Sequence, residues 1–246
     1  MHAGAIAALL AARSGGPLFT PDYPLESLND VWAIQSGAMA ALGPVGGWKV
    51  GRWDADAPLI YAPIRKAMIR PSPSAWLPAE CRLRGLELEV GFHIDATPPA
   101  TNDPDFLRKL AASVTSMPVF EVVDSRLADP QGTTPLWRLA DFQLNAGLVY
   151  GEPAKPGWQP GDFDHPHVQL TANGTDEYNG PATLNTRTPF IMLADLVREC
   201  GDHCGGVQPG QIVTTGSFTG LRFFAKGTKL TGRIAGLAPI SATFET

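Results

Sequence analysis

The stretch Leu86-Glu87-Leu88-Glu89-Val90-Gly91-Phe92-His93-Ile94-Asp95 alternates strictly between apolar residues and other residues. This period of two is typical of a β-strand with one buried face. The even-numbered residues point to that face, whereas Glu87 and Glu89 point to the other, roughly 7 Å apart along the strand. We therefore predict a strand that presents two carboxylates on the same side.

A second apolar run, Pro118-Val119-Phe120-Glu121-Val122-Val123-Asp124, carries a single carboxylate in its middle. Burying a carboxylate is costly unless it is hydrogen-bonded, protonated or bound to a cation. Hard divalent cations prefer oxygen ligands, so Glu87, Glu89 and Glu121 together would suit Mg²⁺ or Mn²⁺. The alternative is a solvated strand face at Glu87 and Glu89, with Glu121 paired to a lysine or an arginine.

The composition is that of an ordinary globular protein of 246 residues, with 44% hydrophobic and 17% charged residues. This length is enough for one large core, so we predict a single domain over residues 1–246 with a short helical region at about 1–45. The 26 glycines and 23 prolines favour many short strands and turns. A net charge of −5 without a basic cluster argues against nucleic acid as a partner.

The three cysteines, Cys81, Cys200 and Cys204, are too few for a disulfide framework, which fits a reducing cytoplasm. His203 beside Cys204 suggests zinc, but no second ligand pair follows, and a closed zinc site needs four ligands. We therefore expect no structural zinc. No apolar run approaches the length that spans a membrane, so we expect no membrane partner.

Helices are predicted mainly in the first half of the chain. Ser27 can cap a helix whose apolar positions follow the helical period up to Gly43. A short amphipathic helix is expected before it, within residues 1–12. Further helices are predicted over residues 106–114, after Asp103-Pro104, and over residues 190–200, after Thr188-Pro189.

Strand patterns occupy much of the remaining chain, and Asn173-Gly174 predicts a hairpin turn. The predicted strands cover residues 48–52, 86–95, 119–124, 147–150, 167–170, 211–215, 229–234 and 240–244. Helices do not alternate regularly with these strands, so a doubly wound parallel sheet is not expected. We predict an α+β protein with a large mixed sheet or roll.

Four other segments carry residues suited to chemistry. Gly46-Gly47-Trp48-Lys49-Val50-Gly51 places Lys49 in a glycine-flanked strand, where it is either solvated or the cation beside a metal site with an anionic substrate. Asp124-Ser125-Arg126 directly follows the third glutamate. Leu139-Ala140-Asp141 ends a short helical segment, and Asp141 could also be an ordinary surface carboxylate. The turn at 214–220 contains Thr215, Gly216 and Ser217, whose backbone N–H groups could hold a carboxylate, although many turns look the same.

In this order, the segments resemble the 2-keto-4-pentenoate hydratase / 4-oxalocrotonate decarboxylase branch of the fumarylacetoacetate hydrolase superfamily. The matching residues are Ala33-Ile34-Gln35, GGWKVG at 46–51, the Glu-Leu-Glu of 87–89, FEVVDSR at 120–126, Leu139-Ala140-Asp141, and Pro209 to Ser217. The similarity covers roughly residues 30 to 220, and the ordered combination is far more specific than any one motif.

The resemblance implies a fold, a metal site and an assembly. The fold would be the fumarylacetoacetate hydrolase-like mixed β-roll with several peripheral helices, usually assembled into homo-oligomers. Glu87, Glu89 and Glu121 would hold Mg²⁺ or Mn²⁺, and Lys49 would face the active site as a catalytic and substrate-binding residue. From the residues themselves we also predict that Thr215, Gly216 and Ser217 bind substrate, and that Asp124, Arg126 and Asp141 support the ligands without binding the ion.

Three departures from the family pattern fall on groups that transfer protons. Family members usually carry an acidic residue or pair shortly after the lysine segment, but residues 58–64 contain none. A His-Pro pair often precedes the first metal glutamate, whereas residues 83–86 are Leu-Arg-Gly-Leu. Phe142 replaces the asparagine of the family's A-D-N-A-S-S segment.

The predicted function is a divalent-metal-dependent lyase for a small 2-oxo acid in aromatic-compound catabolism, either a hydratase or a decarboxylase. The missing acid after Lys49 weakens the hydratase assignment most. One alternative is an acylpyruvate C–C hydrolase, but such hydrolases supply a histidine ahead of the metal strand, and only His2 precedes Glu87. The other is a non-catalytic homologue that binds metal and 2-oxo acid.

Overall fold

A computed structural model describes residues 2–77 and 79–246 of the chain. Its five α-helices are α1 (Ala3–Arg13), α2 (Leu28–Leu42), α3 (Phe106–Ala112), α4 (Pro135–Ala140) and α5 (Pro189–Glu199). The capping prediction at Ser27 is confirmed, because its side chain accepts a hydrogen bond from the Asp30 amide and the Asp30 carboxylate accepts one from the Ser27 amide. Helix α3 is shorter than predicted, since Val114 already begins the following strand.

Thirteen strands form two sheets in the described residues. The first seven are β1 (Val45–Gly51), β2 (Ile60–Arg65), β3 (Ile69–Pro71), β4 (Ser74–Trp76), β5 (Gly85–Ile94), β6 (Val114–Val123) and β7 (Asn145–Tyr150). The other six are β8 (His167–Ala172), β9 (Thr175–Pro181), β10 (Ile212–Thr214), β11 (Arg222–Phe223), β12 (Lys229–Ile234) and β13 (Ile240–Phe244).

The large sheet has eight strands in the order β2-β1-β10-β5-β6-β7-β3, with β11 also pairing with β5. Parallel and antiparallel pairs both occur, since β1 runs parallel to β10 and β5 runs antiparallel to β6. The small sheet has five strands in the order β4-β13-β12-β8-β9. This mixed α+β architecture confirms the predicted fold class.

The main core lies between the two sheets. The even-numbered residues of β5 are fully buried, and Leu88 and Phe120 face the small sheet. Strand β12 passes so close over them that a Cβ on Gly232 would lie within 2.8 Å of Leu88 and 2.9 Å of Phe120. A glycine is therefore required at this crossing. Because side chains alternate, the neighbouring glutamates of β5 and β6 point away from this core.

Helices α1, α2 and α4 form a second apolar cluster with Leu9, Ile34 and Trp137. Gln35 ties this cluster together, because its fully buried side-chain amide donates to the carbonyl oxygen of Leu139 at 2.8 Å. Among the helices described, none is long and apolar enough to cross a membrane. The single domain over residues 1–246 stays a prediction.

Candidate metal centre

Three glutamate side chains converge on the face of the large sheet that points away from the main core. Glu87 on β5 lies directly opposite Glu121 on β6, and Glu89 is two residues further along β5. One carboxylate oxygen from each lies within 4.8 Å of the others. Within residues 2–77 and 79–246, no other three His, Cys, Asp or Glu side chains meet in this way.

The glutamate cluster is largely removed from water. Glu89 is 1% exposed and Glu121 is fully buried, whereas the Glu87 side chain is 14% exposed. Like charges directly opposite each other in an antiparallel pair destabilise a sheet, and burial makes an unpaired carboxylate costlier still. This face of the sheet therefore requires positive charge.

Lys49 of β1 supplies one positive charge to the cluster. Its Nζ lies 2.8 Å from Glu121 Oε1 and 3.3 Å from Glu87 Oε2. Burial alone lowers the pKa of Lys49, but the carboxylates of Glu121, Glu87 and Glu89 together raise that pKa above its ordinary value. The ammonium therefore stays protonated. The pairing of Glu121 with a lysine matches part of the alternative interpretation, but one ammonium balances only one of three carboxylates.

The remaining negative charge affects the pKa values of the two buried glutamates, Glu89 and Glu121. Burial raises the pKa of Glu89, and Glu87 raises it further. Burial also raises the pKa of Glu121; Lys49 opposes this effect, while the other two glutamates add to it. Both carboxylates are therefore held in an environment that disfavours their charged form until further positive charge is present.

Glu89 is fixed by the turn that follows β10. The Gly216 amide donates to Glu89 Oε2 at 2.7 Å, and the Thr214 hydroxyl donates to the same oxygen. The turn can reach Glu89 because it continues along β5, where the Phe218 amide donates to the Leu88 carbonyl oxygen at 3.0 Å. One carboxylate oxygen of Glu89 is thus held while these bonds leave its other oxygen free.

Glu121 is fixed from β7. Asn145 Nδ2 donates to Glu121 Oε1 at 3.1 Å, the same oxygen that Lys49 contacts. The other oxygen, Oε2, is buried and has no hydrogen-bond partner in the part of the chain that the structure describes. An orphaned buried carboxylate oxygen is costly and calls for a ligand.

The arrangement fits a hard divalent cation. The contacts described above fall on Oε2 of Glu87, Oε2 of Glu89 and Oε1 of Glu121, which leaves one oxygen of each carboxylate available. Carboxylate oxygens are the ligands that Mg²⁺, Mn²⁺ and Ca²⁺ prefer. The residual negative charge beside Lys49 suits such an ion as well.

The three residues expected to support the ligands are placed differently from one another. Arg126 donates from Nη1 to the carbonyl oxygen of Asn145 at 2.9 Å and from Nε to the Asp141 carboxylate. Arg126 and Asp141 therefore both help to position Asn145, the residue that holds Glu121. Asp124 instead accepts from the backbone amides of the loop before β5, Arg82 and Leu83, each at 3.0 Å. Asp124 therefore braces the start of the glutamate strand and makes no direct contact with Glu121.

In the turn predicted to bind substrate, two of the three residues already form hydrogen bonds within the protein. The Thr215 hydroxyl donates to the carbonyl oxygen of Val90 at 2.9 Å, and the Gly216 amide is bonded to Glu89. Ser217 Oγ is buried without a partner among the described residues. A substrate-binding role for Thr215, Gly216 and Ser217 stays a prediction.

A cavity of about 220 Å³ opens beside the cluster, and we call it the glutamate cavity. Lys49, Glu87, Trp53, Arg138, Gln143 and Leu221 are among the residues that line it. Arg138 of α4 donates from Nη1 to the carbonyl oxygens of Thr133 at 2.6 Å and Pro130 at 3.3 Å. It forms no ion pair with the described residues, so its charge is available to an anion in the cavity.

Gln143 reaches the glutamate cavity through an unusual backbone turn. Phe142, Gln143 and Leu144 all have positive φ, at 57°, 52° and 60°. Non-glycine residues in this region are strained, and such strain is concentrated at functional sites. Gln143 Oε1 is buried and has no hydrogen-bond partner among the described residues.

Sequence reasoning missed Arg138, Gln143, Asn145 and Thr214. Arg138 follows no recognisable motif, and nothing in Phe-Gln-Leu predicts three consecutive left-handed residues. Thr214 lies in the predicted turn, but its contact with Glu89 depends on the pairing of β10 with β5.

Within the described residues, the Cys200–Cys204 segment is not part of any group of three side chains placed to hold a metal ion. His203 Nε2 lies 2.9 Å from Gln35 Oε1, so the histidine belongs to the helical cluster. Burial raises the pKa of the Cys200 thiol to about 12, so this thiol is protonated at neutral pH.

Comparisons with known proteins give matches among solved structures alone. No protein-family model matches the chain, and no curated protein sequence matches it either. The structure of 4-oxalocrotonate decarboxylase from Pseudomonas putida G7, complexed with magnesium and adipate, is 22% identical with a TM-score of 0.78. That match covers 98% of this chain and 97% of that chain.

Further structures match with lower TM-scores. Fumarylpyruvate hydrolase from Pseudomonas aeruginosa, in complex with Mn²⁺ and pyruvate, is 17% identical with a TM-score of 0.58, covering 80% of this chain and 88% of that one. The 2-hydroxyhepta-2,4-diene-1,7-dioate isomerase from Mycobacterium marinum is 12% identical with a TM-score of 0.54, covering 82% and 76%. These similarities confirm the fumarylacetoacetate hydrolase-like fold predicted from the sequence.

Proposed function

We propose that this chain, which has the fumarylacetoacetate hydrolase-like fold, is a divalent-metal-dependent lyase acting on a small 2-oxo acid. The observation that carries the proposal is the convergence of Glu87, Glu89 and Glu121 beside Lys49 at the glutamate cavity. Two buried carboxylates and a third that is partly buried, with one ammonium among them, make a poor structural core but a suitable cation site.

Glu87, Glu89 and Glu121 would hold Mg²⁺ or Mn²⁺ through the oxygens that their present contacts leave free. Two of the similar structures support this choice, since one is complexed with magnesium and adipate and the other with Mn²⁺ and pyruvate. When bound, the cation supplies a Lewis acid for the C1 carboxylate and C2 carbonyl oxygens of a 2-oxo acid.

Lys49 has two roles in this proposal. Its protonated Nζ lines the glutamate cavity, where it attracts an anionic substrate and stabilises negative charge that develops on it. It is also the cavity's most direct proton donor, and its contacts with Glu87 and Glu121 fix its position.

Among the lyase reactions, the cavity favours decarboxylation over hydration. Hydration needs a group that activates water, yet Glu87, a proposed ligand, is the only carboxylate among the described residues that line the cavity. Decarboxylation needs charge stabilisation and one proton. In 2-oxohex-3-enedioate the C5–C6 bond breaks, CO₂ leaves, and the electron pair is delocalised to the C2 oxygen. A proton from Lys49 to that oxygen gives 2-hydroxypenta-2,4-dienoate.

Arg138 and Gln143 suit a substrate with a second carboxylate. The arginine offers unpaired guanidinium donors to the cavity, and the carboxamide nitrogen of Gln143 can donate beside it. We propose that these two side chains bind the second carboxylate of a dicarboxylic 2-oxo acid. This assignment concerns substrate affinity more than the chemical step.

The hydrolase alternative is not favoured. Its histidine would have to be His2, which stacks on Tyr23 and lies 3.2 Å from Asp30, and which does not line the glutamate cavity. Homo-oligomeric assembly, cytoplasmic location and a place in aromatic-compound catabolism remain proposals that rest on the resemblance.

The proposal is tested with purified protein and added Mg²⁺ or Mn²⁺. We expect conversion of 2-oxohex-3-enedioate with release of CO₂, silenced by EDTA and inhibited by oxalate. Glu89→Gln should abolish turnover while keeping the fold, whereas Glu152→Gln, at an exposed position, should be unchanged. Hydration of 2-hydroxypenta-2,4-dienoate would assign a hydratase, and cleavage of acetylpyruvate alone would assign a hydrolase. Metal-dependent oxalate binding without any turnover would assign the non-catalytic homologue.

A further inference from the structure

A second cavity, of about 360 Å³, lies where the end of α1 meets β2 and the segment after β6. We call it the arginine cavity, because Arg13, Arg65, Arg82 and Arg126 all line it. It shares no lining residue with the glutamate cavity. The proposed lyase reaction makes no use of it.

Two of the four arginines have partners. Arg126 binds Asp141 through Nε and the carbonyl oxygen of Asp141 through Nη2 at 2.7 Å. Arg82 donates to the carbonyl oxygen of Ser125 at 2.6 Å, with Asp124 at 4.0 Å. The nearby carboxylate of Glu80 is taken by a fifth arginine, Arg70.

Arg13 and Arg65 are left without adequate partners. The Nε of each is buried and has no hydrogen-bond partner in the described part of the chain. The Arg13 side chain is only 10% exposed, and its Nη2 lies 4.0 Å from an Asp141 oxygen that Arg126 already binds. Arg65 forms no ion pair with the described residues.

The charges around the arginine cavity do not balance. Five arginines face the three carboxylates of Glu80, Asp124 and Asp141, which leaves two positive charges in excess. Burial lowers the pKa of Arg13, repulsion from Arg126 and Arg65 lowers it further, and Asp141 only partly offsets these effects. Buried charge of one sign is costly unless a counter-charge is bound.

We propose that the arginine cavity binds a phosphate-type oxoanion, free or as a phosphate monoester, through Arg13 and Arg65. The guanidinium group presents a planar fork of donors that matches phosphate oxygens, and it carries its charge at any physiological pH. A doubly charged phosphate would supply the two missing negative charges and the acceptors that both Nε atoms lack. The rival occupant is an acidic side chain from a second copy of the chain.

Thermal unfolding in EDTA tests this proposal without any contribution from a bound metal. Inorganic phosphate or a phosphate monoester replaces chloride at constant ionic strength. We expect the unfolding midpoint to rise with phosphate concentration, because a ligand that binds only the folded state stabilises it by mass action. Succinate, the carboxylate probe, should stabilise less.

Arg13→Met and Arg65→Met should each weaken the apparent phosphate affinity by about tenfold or more, as expected for a lost charged hydrogen bond. Arg13→Met keeps an apolar stem but removes the guanidinium, whose Cζ lies 4.7 Å from the Phe142 ring centroid, so it exchanges one cation–π contact for relief of the uncompensated buried charge. In phosphate-free buffer Arg13→Met should therefore unfold at the same or a higher temperature than the parent chain. The matched control is Arg108→Met, since that arginine side chain is 70% exposed.

The proposal is overturned if phosphate stabilises the parent chain no more than chloride, or if Arg108→Met weakens the response as much. It is also overturned if the Arg13 and Arg65 variants change the oligomeric state while phosphate has no effect. That result would assign the two arginines to an acidic side chain of a second copy. If Arg13→Met does not fold, the proposal is still tested by the effect of phosphate on the unfolding midpoints of the parent chain and of Arg65→Met.

Discussion

Glu87 and Glu121 face each other directly across the antiparallel pair of β5 and β6, on the side of the sheet away from the main core. Two carboxylates in this position repel each other, and Glu89 adds a third within the same cluster. Lys49 offsets one charge of the three. Apolar residues at these positions would stabilise the sheet better than three carboxylates do, so the arrangement is best explained by a bound cation.

Replacing Lys49 by methionine should separate catalysis from metal binding. Lys49→Met removes the charge that stabilises the substrate anion and the proposed proton donor, and we expect kcat to fall by about 100-fold or more. The glutamates remain, so Mn²⁺ should bind at least as well as before. Steady-state kinetics and calorimetric titration with Mn²⁺ measure the two effects. Lys226→Met, at an exposed lysine, is the control, and loss of metal binding in Lys49→Met would contradict the assignment.

Asn145 and Asp124 should differ in their effect on the metal. Asn145 donates to Glu121, so Asn145→Ala should weaken Mn²⁺ affinity by about 10- to 100-fold, as the loss of a residue that orients a ligand typically does. Asp124 binds the loop before β5, so Asp124→Ala should lower the unfolding temperature. It should reduce the Mn²⁺ affinity less than Asn145→Ala does. Calorimetric titration of both variants with Mn²⁺ measures the two losses of affinity. A larger loss in Asp124→Ala than in Asn145→Ala would contradict these roles.

Arg138 should discriminate between dicarboxylic and monocarboxylic ligands. We expect Arg138→Met to weaken inhibition by adipate by about tenfold or more and inhibition by pyruvate by less than about twofold, because only adipate carries a second carboxylate. Arg138→Lys should recover part of the adipate affinity, since it keeps the charge without the planar fork. If inhibition by adipate and inhibition by pyruvate weaken equally, Arg138 supports the structure of the cavity and does not bind the second carboxylate.

His203 should make the stability of the protein depend on pH. Burial lowers the pKa of His203 below its ordinary value of 6.5, so the unfolded chain takes up a proton first as the pH falls. The free energy of unfolding should therefore decrease from about pH 7 downwards until the pH passes the lowered pKa. Denaturant unfolding at several pH values should show a flatter dependence for His203→Gln. His165→Gln, at an exposed histidine, should keep the parent dependence, and an unchanged slope in His203→Gln would contradict the argument.

The strands that position the site could be predicted because their patterns are strong. The alternation of residues 86–95 and the apolar run around Glu121 gave β5 and β6, and Ser27 with Asp30 marked the start of α2. Strand β2 could not be predicted, since Pro63 interrupts it; the structure accommodates this proline because β2 is at the edge of the sheet. Strand β9 is mostly polar, and it also lies at an edge.

The candidate site could be predicted only for residues that belong to strands with a clear period. The glutamates met because strand alternation and antiparallel pairing place them on one face. Arg138 and Gln143 lie on a short helix and a left-handed turn, whose positions depend on tertiary packing. The role of Asn145 follows from the register of β6 with β7, which no local sequence pattern specifies.

The most direct test of the central claim is an anomalous difference map from a crystal soaked with Mn²⁺. We expect one strong peak per chain, within about 2.0–2.6 Å of one oxygen from each of Glu87, Glu89 and Glu121. A crystal of Glu89→Gln soaked in the same way should show a weak peak or no peak at that position. A parent crystal with no peak among the three carboxylates, or with its Mn²⁺ held by other residues, would contradict the account.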